Sequence, residues 1–282
     1  MKRILVATAF AACAVAPSAV LAQDQPSGTG GPHTFTANIG LFSEYIFRGV
    51  TQTGGEPAVQ GGFDYSHTTG FYAGTWASNI SWLQDFKYYE QSSIEWDFYG
   101  GIKRNFGDSD FYFDVGTIYY WFPRGDRFPA PAGVAWSPNT WEVYAGAGWK
   151  WLGFRYSYSL KDYFGARPNA NTDETSGTWY LDFFANYPVG ETGITLMAHY
   201  GILDVANDGE RSLGTEASYN DWKLGISYTV QGGVVKGLEL GAFYTDTDIK
   251  NGDNGRNFYT DATTKNLNTA DSAFVVYVKK TF

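Results

Sequence analysis

Residues Asp110–Phe122 read DFYFDVGTIYYWF. Every second residue from Phe111 gives Phe111, Phe113, Val115, Thr117, Tyr119 and Trp121. The other parity gives Asp110, Tyr112, Asp114, Gly116, Ile118 and Tyr120. A period of two describes a strand whose faces meet different surroundings. Here one face is apolar and aromatic, and the other carries carboxylates, ring hydroxyls and glycine. The pattern recurs with Trp96 and Phe98 in SIEWDFYGG, with Trp179, Leu181 and Phe183 in TWYLDFF, and with Trp222, Leu224 and Ile226 in DWKLGIS. Glu95, Asp97, Asp182 and Lys223 fall between them.

Working outward, the same unit of about ten to thirteen alternating residues followed by a turn or loop fills the chain from Thr34 to Phe282. Strands are expected near 34–49, 57–67, 70–80, 91–105, 110–122, 139–149, 151–164, 177–187, 193–204, 217–229, 237–248 and 270–282. Twelve strands result, with no second domain and no helix of note. Tight connections at 67–70, 107–110, 150, 189–192 and 231–237 alternate with longer polar ones at 81–90, 123–138, 165–176, 205–216 and 249–269. The first connection, 50–56, is shorter. An even strand count with short turns at one end and long loops at the other describes an all-β, single antiparallel transmembrane barrel. The short turns are then periplasmic and the long loops extracellular, with both termini on the periplasmic side.

A soluble sandwich also alternates, its charges facing bulk water. Strand length and the ring positions weigh against it: Trp76, Trp121, Trp141, Trp149 and Trp222 stand at or near strand ends, where membrane-interface rings concentrate. An open sheet edge in hydrocarbon would leave backbone groups unpaired at several kcal/mol each, so the sheet is expected to close.

Composition agrees. Of 282 residues, 17% are charged and 18% aromatic, with 34 glycines; soluble domains carry about 25% charged residues. Mean hydropathy is −0.29, and past the N-terminus no stretch approaches the roughly 18 apolar residues of a membrane helix. MKRILVATAFAACAVAPSAVLA has the basic start, apolar core and small-residue cleavage site of a secretory signal peptide, residues 1–22. A lipobox reading of Ala11-Ala12-Cys13 competes, although the apolar run continues past Cys13. Cleavage after Ala22 removes Cys13, the only cysteine, and takes the net charge from −9 to −11. Stability must then come without disulfides. A net negative chain argues against nucleic acid as a partner. Residues 23–33 read as a flexible periplasmic lead-in, and 34–282 as the barrel.

NIGLFSEYIFRGVTQTGGEPAVQGGFDYSHTTGFYAGTWASN, Asn38–Asn79, resembles the TorF-type porin family. The matching positions are Ser43, Tyr45, Phe47-Arg48-Gly49, Pro57, Gln60-Gly61, Tyr65, Gly70, Tyr72, Gly74, Trp76 and Ser78. Glu95, Asp97, Tyr99, Gly101, Tyr120, Pro123, Tyr158-Ser159, Asp162-Tyr163, Trp179-Tyr180-Leu181 and Ala198-His199-Tyr200-Gly201 extend the likeness over nearly the whole mature chain. The resemblance implies an outer-membrane barrel acting as a porin.

Glu44 and Arg48, four apart on the expected first strand, face the lumen by parity. Asp64, Glu95, Asp97, Asp114, Arg155 and Asp182 join them as expected pore-lining residues. Lys103, Asp110, Glu142, Lys161, Lys223 and Glu239 share that parity. Such a wall reads either as ion pairs bracing a narrow pore or as a ring favouring cations. Glycines at 62, 74, 101, 116, 146, 148, 153, 201, 225 and 241 also point inward, making room for rings such as Tyr112 and Tyr144 or relieving barrel curvature. A barrel of about twelve strands lies between the filled and the open types, so a narrow lumen for ions or small polar solutes is expected.

Catalysis is not expected. His33 lies in the lead-in, His67 at a turn, and His199 mid-strand with no adjacent serine, where a hydroxyl-rich contact is anticipated. Asp246–Asp253 imperfectly matches a calcium loop, with Lys250 at a ligand position. Arg124-Gly125-Asp126 spells an adhesion tripeptide. No cofactor or resident metal is expected. Outer-membrane lipid and lipopolysaccharide, the barrel-assembly machinery through a terminal strand ending at Phe282, and small polar solutes or ions are the expected partners. The reading is a Gram-negative outer-membrane porin for passive diffusion. A non-conducting structural or surface-interaction barrel is the alternative.

Overall fold

A computed structural model describes residues 31–86, 89, 91–123, 137–166, 174–208, 217–251, 258–260 and 267–282. The leader 1–22, most of the lead-in and Arg124-Gly125-Asp126 lie outside the described residues. The strands are β1 (His33–Phe42), β2 (Ile46–Phe47), β3 (Val50–Thr51), β4 (Ala58–His67), β5 (Phe71–Asn79), β6 (Ile94–Asn105) and β7 (Phe111–Trp121). There follow β8 (Thr140–Trp149), β9 (Leu152–Ser159), β10 (Trp179–Pro188), β11 (Ile194–Asp204), β12 (Tyr219–Thr229), β13 (Leu238–Thr247) and β14 (Ala273–Thr281). One helical turn, α1 (Trp82–Asp85), lies between β5 and β6.

Twelve of these strands, β1 and β4 to β14, form one closed antiparallel barrel in which sequence neighbours pair. The seam joins β1 to β14 with Asn38 opposite Thr281 and Phe42 opposite Tyr277. The barrel itself has no free edge, as hydrocarbon requires. Alternation fixes the register, because a one-residue slip would send every charge outward. In β6, Trp96 and Phe98 are exposed while Glu95 and Asp97 are buried. In β12, Trp222, Leu224 and Ile226 are exposed while Asp221 and Lys223 are buried.

The first connection departs from the expected strand over 34–49. β1 ends at Phe42, and residues 43–57 fold across the long-loop mouth of the barrel. Arg48 (φ 47) and Gly49 (φ 76) both take left-handed backbone, which an extended strand cannot hold. Two such residues between Phe47 and Val50 make the tight turn of a small hairpin, β2–β3. Glu44 and Arg48 therefore lie on a loop, not on a strand. Tyr45, Ile46, Phe47 and Val50 are buried, most of them against the inner wall and α1.

Three further expectations need correction. Trp76 does not stand in an interface belt; it shares the inner face with Gly74 and Ser78, and its ring meets Tyr45 edge-on at 5.4 Å. Asp110 and Lys161 are exposed beyond their strands, Asp110 pairing with Lys150 at 3.5 Å. The outer rings at the strand ends are Trp96, Trp121, Trp141, Trp149 and Trp222.

Candidate functional site

The inner face is built from tyrosine, glycine and charge in combination. Tyr99 lies over Gly74 of the next strand, Tyr144 over Gly116, Tyr112 over Gly148 and Tyr277 over Gly241. Each glycine leaves the space that the neighbouring ring occupies. Each ring then holds its hydroxyl inside the barrel, where a carboxylate can accept from it. Tyr99 donates to Asp64 at 2.5 Å, Tyr72 to Asp114 at 2.6 Å, and Tyr277 to Glu239 at 2.7 Å. Tyr72 also contacts the Tyr144 hydroxyl. A side chain at Gly74 would bring its Cβ to 2.5–2.7 Å from three Tyr99 atoms. Gly74→Val should therefore cost about 1–3 kcal/mol of overpacking. Tyr99→Ser in the same chain should restore part of it, measured by urea unfolding from micelles. A Gly74→Val cost that Tyr99→Ser leaves untouched would sever the link between ring and glycine.

At the long-loop mouth the hairpin places Arg48 against β8. Its two terminal nitrogens donate to the two Glu142 oxygens at 2.9 and 2.8 Å, a fork-to-fork pair with both side chains buried. Nη1 also reaches the Tyr163 hydroxyl at 3.2 Å, and the guanidinium lies 4.3 Å from the Tyr180 ring centre. Burial pushes the Tyr163 phenol up to about 12 despite the pull of Arg48. Tyr219 donates to the Arg48 carbonyl at 2.7 Å, and Tyr120 donates to Glu142 at 3.2 Å. Nearby, Tyr45 donates to Glu95 at 3.1 Å.

Deeper in the barrel, His199 bridges two carboxylates. Nδ1 meets Asp182 at 2.7 Å and Nε2 meets Asp221 at 2.7 Å, with Tyr180 donating to Asp221 at 2.9 Å. The anticipated hydroxyl-rich setting is thus dominated by carboxylates, and neither ring nitrogen is left to act as a base. Arg155 pairs with Asp114 at 3.1 Å and stacks on Tyr144, while Lys279 pairs with Glu239 at 3.2 Å.

Of the eight expected residues, Glu95, Asp97, Asp114, Arg155 and Asp182 are buried on the inner face, and Asp64 is half-buried there. Arg48 reaches the interior from the loop. Glu44 stays near the surface, accepting from the Gly55 backbone at 3.0 Å. Asp221 and Lys279 were missed. Asp221 shares the parity of Lys223, already assigned inward, so period two alone could have found it; Lys279 lies on the parity opposite the exposed Phe274 and Val276 of the last strand. In the stretch that imperfectly matches a calcium loop, Asp248 accepts from the Asn220 backbone and side chain, both at 2.7 Å. That loop continues outside the described residues.

The profile of a bacterial family of unknown function, Gcw_chp, matches residues 26–282. The chain belongs to the Gcw_chp family. A comparison with curated proteins gives no match. Among solved structures, this Gcw_chp chain is similar to the NanC porin, with a TM-score of 0.51 at 11% identity over 87% of this chain and 98% of that one. It is also similar to the KdgM porin, at 0.49 and 8% over 88% and 99%. OprD of Pseudomonas aeruginosa gives 0.37 and 17% over 88% and 65%. At these identities the NanC likeness speaks for the fold: the Gcw_chp chain is a closed antiparallel barrel of the outer-membrane type.

Proposed function

We propose that this protein is a TorF-type outer-membrane channel through which ions or small polar solutes diffuse passively along a charged lumen, without enzymatic chemistry. One observation carries the reading. A closed wall with lipid-compatible rings outside holds eight carboxylates inside, Asp64, Glu95, Asp97, Asp114, Glu142, Asp182, Asp221 and Glu239. Facing them are Arg48, Lys103, Arg155, Lys223, Lys279 and His199. Charge enclosed within hydrocarbon marks an ion or solute path. The pore-lining roles of Glu44, Arg48, Asp64, Glu95, Asp97, Asp114, Arg155 and Asp182 belong to this proposal, with Arg48 the part that closes the mouth. So do export through the leader 1–22, the lead-in 23–33, assembly through the strand ending at Phe282, and lipid and lipopolysaccharide around the ring-bearing face.

The excess of acid over base predicts a cation preference. Purified protein in planar bilayers should give discrete conductance steps, and in a salt gradient a reversal potential of cation-selective sign. An anion-selective sign would overturn the charge argument. The filling of the long-loop mouth by Tyr45, Phe47 and Arg48 favours a second reading, a non-conducting barrel whose external loops do the work. Repeated silence in bilayers from wild type and from a chain lacking the Arg48 side chain would favour it.

A further inference from the structure

One carboxylate on the inner face breaks the rule that governs the others. Asp64, Glu95, Asp114, Glu142, Asp221 and Glu239 each accept from a tyrosine hydroxyl, and Asp182 is held by His199. Asp97 has neither. It is fully buried, and both of its carboxylate oxygens lack a hydrogen-bond partner. The charges that act on it are those of Glu95 and Glu142, both of its own sign. Glu142 already has its counter-ion in Arg48. Glu95 does not, because among the described residues no lysine, arginine or histidine pairs with it or with Asp97.

Glu95 and Asp97 are two apart on β6 and so point the same way. Tyr45 engages only the Oε1 atom of Glu95, and the Glu95 and Asp97 carboxyls lie within hydrogen-bonding reach of each other, close enough to share one proton or one cation. Two buried carboxylates without a cation cannot both ionise cheaply. Either they share a proton or a cation sits between them.

We propose that Glu95 and Asp97 form a divalent-cation subsite in the long-loop half of the lumen, with calcium as its best occupant. Three hard anionic oxygens carrying two formal charges suit a doubly charged ion, and calcium tolerates irregular oxygen shells where magnesium does not. Among the described residues no third acidic side chain or histidine converges on the pair, so water completes the shell. That thin shell suits a transit site, attractive enough to enter and weak enough to leave. The proposal rests on the channel reading for the ion's route in.

The test is calcium binding to the full mature chain in detergent micelles, by equilibrium dialysis with radioactive calcium, with folding verified by heat-shifted gel mobility. Wild type should bind one calcium per chain saturably, and magnesium should compete poorly. Asp97→Asn and Glu95→Gln should each weaken binding roughly tenfold or more. Asp110→Asn, an exposed carboxylate, should leave it unchanged. If neither variant folds, a calcium-dependent rise in wild-type unfolding temperature that saturates at one equivalent supports the site. No saturable binding, as a shared proton would give, overturns it, and so does equal binding in both variants. A chain that binds calcium in micelles but never conducts in bilayers keeps this site and loses the channel. One that conducts without binding loses only the site.

Discussion

Arg48→Ala should raise single-channel conductance severalfold over wild type in planar bilayers. The guanidinium forks onto Glu142 with both groups buried, and it lies against the rings of Phe47 and Tyr180. Its removal leaves Glu142 in the interior with only hydroxyl partners, Tyr120 and Ser159. Breaking one side of a buried pair costs about 3–5 kcal/mol. The least costly relief is for the hairpin to leave the mouth and let water reach Glu142. The turn favours that outcome, because Arg48 holds a positive φ that a non-glycine residue adopts only when its surroundings compel it. Once the pair is gone, the Tyr219 bond to the Arg48 carbonyl is the main polar tie left at that residue. Residues 43–57 should then be cut faster by added protease. Arg48→Lys should fall between, since an ammonium cannot reproduce the fork. Conductance and proteolysis both equal to wild type would show that the hairpin is no latch.

Leu224→Arg should lower folding stability in lipid vesicles by about 2–4 kcal/mol, the cost of a cation on the lipid face at mid-bilayer. Leu224 is 58% exposed at the centre of β12, between the outward Trp222 and Ile226. Trp222→Arg, nearer the strand end, should cost only about 0–1 kcal/mol. The neighbour Lys223 is a native cation one residue away, yet its ammonium lies inside, 5.2 Å from the Phe243 ring centre. The same charge is thus tolerated or costly according to a single step along the backbone. Urea-titrated refolding into vesicles measures the difference. Refolding of Leu224→Arg indistinguishable from wild type would mean that hydrocarbon does not touch this face.

The barrel was legible because period-two alternation marks most of each long strand, and β7 and the middle of β12 show it plainly. The inward acids followed from the same count. The first connection was not legible, because Ile46-Phe47 and Val50-Thr51 alternate locally as a strand does. Only Gly49 hinted at a turn, and the left-handed backbone at Arg48 is imposed by a partner 94 positions away. Trp76 misled for a related reason. Its place near a strand end suggested an interface belt, yet Gly74 two residues earlier was already read as inward, and period two puts Trp76 on that same face. The glycines were recognised as inward, but which ring each one seats depends on the cross-strand register.

The seam between β1 and β14 joins Ser43 to Val276, 233 positions apart. Every other barrel pairing joins consecutive strands of the barrel, β1 to β4 across the small hairpin included, whereas this one spans almost the whole chain. Loop-closure entropy is met before that contact returns anything. The cylinder is therefore sealed last, and until then it has two raw margins able to capture a strand from another chain. A helper that shields those margins would spare this protein its most dangerous interval.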